Sequence, residues 1–291
     1  MSLKSALEAG KFVITAEVGP LKGTNTAEIE EVGELLRGKV DAVNVTDQQS
    51  AVMRLGSLAA CHLLKDKGLD PVFQMTCRDR NRLALQSDLL SAAVLGIENV
   101  LSLTGDLPVL GDHPQAKPVY DLDSVQLLWV IKQLNEGHDM VGNELEGTPN
   151  FFPGATVNPG ADTEASFELQ LIKMEKKIAA GARFFQTQAI FDVGTFARFM
   201  ERVEGFNIPI LAGIIPLKSA GMARFMNKNI AGISVSDELI DRMVKAKDRT
   251  KTGIEIAANT ISELKGMCQG MHIMAMGWES KVPAILDAAG L

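Results

Sequence analysis

Eight short apolar runs, each followed by a longer stretch with helical periodicity, set the strongest constraint on this chain. The runs are FVITAE (12–17), VDAVNV (40–45), PVFQM (71–75), NVLSL (99–103), FFPGATV (151–157), ARFFQTQ (182–188), IPILAGI (208–214) and MHIMAM (271–276). Helical spacing of apolar residues marks 51–67, 83–95, 125–134, 164–180, 193–203 and 237–265. Strands alternating with helices predict a parallel sheet. Eight such units in 291 residues favour a closed (β/α)8 TIM barrel over an open doubly wound sheet. No G-x-G-x-x-G follows any strand, which weakens the dinucleotide-binding alternative. Residues 1–291 therefore read as one α/β barrel domain with two extended loops. The first, LPVLGDHPQAKPVYDLD (107–123), follows strand four on the face where barrel sites form, and the second, GHDMVGNELEGTPN (137–150), precedes strand five on the opposite face.

Composition narrows the function classes. Hydrophobic residues make up 46% of the chain, enough for a sizeable core. The net charge is 29 − 36 = −7, against nucleic-acid binding, which needs a clustered basic surface. No apolar run is long enough to span a membrane, and MSLKSALEAGK lacks the apolar centre of a signal peptide. The three cysteines are scattered, as for buried thiols in a reducing cytoplasm, and the four histidines show no metal-ligand spacing.

The strand ends are unusually polar for segments leaving an apolar core. Strand one ends at Glu17, strand two at Asn44-Val45-Thr46-Asp47, and strand three at Gln74-Met75-Thr76-Cys77-Arg78. Strand four ends Thr104-Gly105-Asp106, strand five Thr156-Val157-Asn158 and strand six Gln186-Thr187-Gln188. With no Ser-His-Asp set and no histidine base at a strand end, this inventory suits a large planar ligand that brings its own chemistry.

Each residue also has a purely structural reading. Glu17 can pair with a neighbouring arginine, and Asp106 before Leu-Pro can hold an Asx-turn. Arg78, Arg80 and Arg82, with Asp79 among them, read more readily as a solvated ion-pair face than as a phosphate site. His272 reads as a satisfied core histidine. Gln186 and Gln188 share one face of strand six and need partners there.

Taken together in order, AEVGP, VNVTDQQS, QMTCRDRNR, LSLTGDLP, GATVNPG, KKIAAGARFFQTQAIFD and LAGIIPLKS resemble the methylenetetrahydrofolate reductases over nearly the whole chain. The resemblance implies a (β/α)8 barrel without a regulatory domain. It also implies an FAD cofactor and flavin-mediated reduction of 5,10-methylenetetrahydrofolate to 5-methyltetrahydrofolate, a step that serves methionine biosynthesis. It makes Glu17 the general acid that opens the bridged folate, a role that requires a proton held near neutral pH. It places Asp106 against both flavin and folate, and Gln188 on the folate. Thr46, Gly105, Tyr120, Asp123 and Lys177 match positions that hold the flavin.

The chain departs from the family at Gln74, Thr104 and Asn158, which occupy flavin-binding positions in place of the usual histidine, arginine and tyrosine. The aromatic residue that usually follows the G-I-x-P segment is replaced within Ser219, Ala220 and Gly221. The electron donor therefore stays open between NAD(P)H and a redox partner subunit or ferredoxin. The resemblance further implies a homo-oligomer or a complex with such a subunit. Two other readings compete: a flavin- or folate-binding subunit that turns over only with its partner, and an unrelated pterin-dependent methyltransferase barrel.

Overall fold

A computed structural model describes residues 1–161 and 163–291. The strands are β1 (Val13–Val18), β2 (Ala42–Val45), β3 (Pro71–Thr76), β4 (Asn99–Leu103), β5 (Phe152–Val157), β6 (Phe184–Ala189), β7 (Ile210–Ile214) and β8 (Gly270–Ile273). The helices are α1 (Leu3–Glu8), α2 (Ala27–Leu36), α3 (Ser57–Asp66), α4 (Arg82–Val94), α5 (Ser124–Asn135) and α6 (Glu164–Ala179). They continue with α7 (Val193–Val203), α8 (Ala220–Asn229), α9 (Asp237–Lys245), α10 (Arg249–Leu264) and α11 (Val282–Ala288). All neighbouring strands pair in parallel, and β8 closes on β1, so the sheet is a (β/α)8 barrel. Among the described residues no helix is long and apolar enough to cross a membrane.

Two helical stretches differ from their sequence reading. The 237–265 pattern breaks into α9 and α10 because Asp248 turns back to accept the Lys251 amide, and an N-cap competes with continued helix. The 51–67 pattern becomes helical only at Ser57; before it Gln48, Ser50 and Ala51 hold left-handed backbone at φ 48°, 58° and 57°. Strain of this kind in non-glycine residues collects at sites that need a fixed loop shape.

The interior is layered. Alternate residues of a strand face the axis, so β1 sends Val13, Thr15 and Glu17 inward at successive heights. At the floor, Val13, Ala42, Val72, Leu101, Phe152, Phe184 and Leu211 pack together, and the short helix α1 plugs them with Leu3, Ala6 and Leu7. Phe184 stacks on Phe152 at a centroid distance of 5.3 Å. Gly154 makes room for it: a Cβ there would lie 2.3 Å from the Phe184 ring. Above this floor the layer turns polar, with Thr15, Asn44, Gln74, Gln186 and His272 all buried. At the top of β6 the pairing with β7 shifts register between Gln186 and Ala189. Thr187 Oγ1 accepts the Gly213 amide and donates to the Gln188 carbonyl within that irregularity.

Candidate active site

The polar layer opens at the C-terminal ends of the strands into a cavity of about 830 Å³. Glu17, Asp106 and Gln188 all line it. So do Gln74, Thr104, Gly105, Asp123, Asn158 and Lys177. Residues drawn from β1, β3, β4, β5, β6, α6 and the loop after β4 thus meet at one mouth. Thr46 and Tyr120 do not border it: Thr46 faces an adjoining cavity of about 430 Å³ and Tyr120 a shallower hollow beneath the β4 loop. Glu17 stands in the wall between the two larger cavities and lines both.

Glu17 is 8% exposed. Its Oε1 accepts from Gln74 Nε2 at 3.4 Å and lies 3.6 Å from His272 Nε2. Both contacts use the same oxygen, so Oε2 remains for a ligand. Among the described residues Glu17 pairs with no arginine. His272 is buried with a partner on each ring nitrogen, as expected of a satisfied core histidine, but one partner is Glu17 and the ring also borders the cavity.

Asp106 is not an Asx-turn residue. Among the described residues its carboxylate takes no hydrogen bond; the loop is held instead by Tyr120, whose hydroxyl donates to the carbonyls of Gly105 (3.1 Å) and Asp106 (3.0 Å). Gly105 sits at φ +94°, and a Cβ there would come within 3.0 Å of Arg78 and Thr76, so only glycine lets the chain bend here so close to β3. Asp123 caps α5 by accepting the amides of Val125 and Gln126. Asn158 ties the end of β5 to the Ala231 carbonyl at 3.0 Å. Gln188 accepts its neighbour's Ala189 amide with Oε1, which leaves its NH2 group for a ligand.

Lys177 Nζ donates to the Thr156 carbonyl at 2.7 Å. Burial, and then the nearby charge of Lys173, pull its pKa down to about 8 against the pull of Asp123. Lys173 and Lys176 border the same cavity. Lys177 is the site lysine that the motifs mark; the spacing of Gln170, Lys173 and Lys177, successive neighbours on one helical face, is the signal for Lys173, and Lys176 lies three residues beyond Lys173.

The arginine cluster divides. Arg82 is the solvated ion pair expected, half exposed and bonded to Asp121 at 2.8 Å. Arg78 is the exception: only 2% of its side chain is exposed, and it grips Asp79 through Nε and Nη2 while bordering the cavity. Arg80 is largely buried and bridges Asp47 (2.7 Å) and Asp88 (2.8 Å). Asp47, fully buried, also accepts the Thr76 amide and hydroxyl, so it locks β2 to β3 beneath the mouth. The i, i+2, i+4 spacing of the arginines, which runs from the end of β3 into α4, gives no hint that they point to different depths.

Two observations bear on whether a flavin fits. The Thr46 hydroxyl is buried with no partner among the described residues, a costly arrangement that a ligand atom would relieve. The mouth combines carboxylates and amides at its centre with lysines at its α6 edge, a donor set matched to a ring with a hydrogen-bonding rim and an anionic tail. The residues present fit such a group.

The chain matches the family model described as methylenetetrahydrofolate reductase over residues 2–290. It is 26% identical over 232 residues to methylenetetrahydrofolate reductase 2 of Schizosaccharomyces pombe, covering 75% of this chain and 35% of that one. It is 28% identical over 219 residues to the 5,10-methylenetetrahydrofolate reductase of Pectobacterium carotovorum, covering 72% of this chain and 66% of that one. The chain thus spans about a third of the length of several eukaryotic relatives and two thirds of a bacterial one. A solved structure of a Clostridium thermocellum protein, described as binding two copies of 5-methyl-5,6,7,8-tetrahydrofolic acid, shares the fold with a TM-score of 0.66 at 17% identity, covering 99% of this chain and 98% of that one. The chain belongs to the methylenetetrahydrofolate reductase family.

Proposed function

We propose that this chain reduces 5,10-methylenetetrahydrofolate to 5-methyltetrahydrofolate with FAD as its cofactor. The observation that carries the proposal is Glu17, whose one oxygen is held by two neighbours while the other is left for substrate at the wall of the cavity. Family membership and the folate ligand of the Clostridium thermocellum neighbour support the substrate.

The bound flavin would supply the hydride that reduces the one-carbon unit. Glu17 carries a proton on Oε2 and delivers it to the nitrogen that leaves when the bridge opens; the N–H bond forms as the O–H bond breaks, and Glu17 is left as carboxylate. Asp106, free of hydrogen bonds among the described residues, accepts from the pterin edge, and its negative charge stabilises the cationic one-carbon centre. Gln188 donates its amide to the folate. The Gly105 backbone would hold the flavin ring, and Lys177, Lys173 and Lys176 would hold its diphosphate; Thr46, in the adjoining cavity, would meet the flavin from the other side of Glu17. Leu101, Leu103, Val125, Val157 and Met274 wall the cavity and exclude water from the transfer.

The apolar residues of the β4 loop favour a second reading of the electron donor. Leu107, Val109 and Leu110 are 55%, 65% and 71% exposed, next to the mouth. Three exposed apolar side chains on one short loop suit a docked redox protein better than a nucleotide.

Purified chain is loaded with FAD, reduced anaerobically and mixed with 5,10-methylenetetrahydrofolate. Reappearance of the oxidised flavin spectrum with formation of 5-methyltetrahydrofolate is the expected result. Flavin that stays reduced, or a chain that takes up no flavin, overturns the proposal. NADH and NADPH are then tested against the oxidised holoprotein; failure of both with a competent folate half-reaction selects the protein donor.

A further inference from the structure

Arg78, two residues beyond the end of β3, is a buried charge at the mouth, with only 2% of its side chain exposed. A guanidinium taken out of water needs acceptors for its five N–H groups. Asp79 supplies them on one side: Nε donates to both carboxylate oxygens at 3.0 Å, and Nη2 donates to Oδ2 at 2.7 Å. Among the described residues Nη1 has no hydrogen-bond partner, and Arg78 borders the large cavity. Arg80 is the contrast. Its Nε, Nη1 and Nη2 all find acceptors, on Asp88, Asp47 and the Thr76 carbonyl. Arg80 is satisfied by the protein, whereas Arg78 keeps one edge for a ligand.

The surrounding backbone holds Arg78 in place. The Val119 amide donates to its carbonyl at 2.8 Å, which ties the returning arm of the β4 loop to it. Its Cβ lies 3.0 Å from where a Gly105 Cβ would stand, so the stem packs against the glycine whose backbone would hold the flavin ring. Burial works against the charge, but the hydrogen bonds and charge of Asp79, with Asp47 further off, raise the pKa of Arg78 overall and keep it cationic.

We infer that Arg78 is a cofactor-binding residue: its Nη1 edge would hold an oxygen of the flavin ring that gains negative charge on reduction. The inference rests on the proposed flavin chemistry. Asp106 and Asp123, both beyond β4, border the cavity, and their charge opposes adding an electron pair to a ring beside them. Among the described residues the lysines and arginines that border the cavity are Arg78 and the three lysines of α6. Those lysines lie on the β5 side, where Lys177 reaches the Thr156 carbonyl, and would be taken by the diphosphate. Arg78 alone brings a positive charge to the side of β3 and β4. A guanidinium also presents its hydrogens in a fixed plane, which suits the edge of a flat ring.

The test uses the FAD-loaded chain and reads its reduction potential. Arg78→Met keeps the stem and removes the charge. It is expected to weaken binding of reduced flavin about tenfold more than binding of oxidised flavin. Tenfold in a two-electron couple is about 30 mV, so the potential should fall by that amount. Arg78→Lys keeps the charge and should stay closer to wild type. Asp79→Asn removes the anion that offsets Arg78 and should move the potential upward, by less because the Asp79 side chain is 33% exposed. A wild-type potential in Arg78→Met overturns the inference. If that unmoved potential comes with a fall in Tm, Arg78 is a structural ion-pair residue only. If it comes with a raised half-saturating concentration of 5,10-methylenetetrahydrofolate, the guanidinium serves the carboxylates of the folate instead. Should Arg78→Met fail to fold, Asp79→Asn decides, and a potential that does not rise overturns the inference. A wild-type chain that takes up no flavin, or whose reduced flavin the folate does not re-oxidise, fails the proposed function. Flavin that binds and is re-oxidised, beside unmoved potentials in the variants, removes only the role of Arg78.

Discussion

Asn44 of β2 and Gln186 of β6 reach across the barrel interior and satisfy each other's amides through two hydrogen bonds of 2.8 and 3.1 Å. An amide in this position is fully desolvated, so its partner matters more than its identity. Gln186→Leu should therefore destabilise the barrel by about 1–3 kcal/mol, because Asn44 is left unpaired. The double variant Asn44→Leu, Gln186→Leu should recover much of that loss. Urea unfolding of Gln186→Leu, of Asn44→Leu alone and of the double variant decides the point, and a double variant that loses the full sum of the singles would show that the pair is not coupled.

Glu17→Gln should keep the flavin bound and slow the folate half-reaction by about 100- to 10,000-fold, since an amide cannot deliver the proton. Stopped-flow re-oxidation of the reduced holoprotein measures it. A rate within a few-fold of wild type would remove Glu17 from the mechanism.

Asp106→Asn should leave stability nearly unchanged, because the carboxylate holds no partner among the described residues and Tyr120 secures the loop through backbone carbonyls. Loss of a negative charge beside the ring should raise the flavin reduction potential and slow folate reduction. Potentiometric titration and a melting curve on the same sample test both halves; a collapse in Tm with an unmoved potential would restore the turn role.

Lys177 is charged below a pKa of about 8 and neutral above it, burial being the main cause. An anionic diphosphate is attracted only to the charged form. FAD affinity should therefore fall as pH rises through about 8, and binding below that pH should be accompanied by little proton uptake. Lys177→Met should weaken binding about tenfold at neutral pH and abolish the inflection. Fluorescence titration of FAD from pH 6 to 10 provides the measurement, and a flat wild-type profile argues against contact between Lys177 and the diphosphate.

Much of the architecture was open to reading from the order of residues alone. Strand β4 and helix α7 lie where the apolar runs and periodicity put them, 99–103 and 193–203. Local patterns suffice there because a strand's period of two and a helix's period of 3.6 are properties of neighbours in the chain. The residues of the mouth were legible for the same reason: a barrel sends the ends of its strands to one face, so Glu17, Asp106 and Gln188 had to gather there once the barrel closed. The α1 plug escaped notice, since a six-residue helix is stabilised by the floor it covers and not by its own periodicity.

Depth and partnership were another matter. Arg78 and Arg82 look alike in the chain, yet one is buried beside the cavity and the other is half exposed. Thr46 and Tyr120 belong to the same neighbourhood as the mouth but face other hollows. His272 meets Glu17 only because β8 returns to lie against β1, a contact between the two ends of the chain. Chemistry at each strand end was written in residue types and alternation; which of those groups hold one another depended on barrel closure and register, which no local pattern encodes.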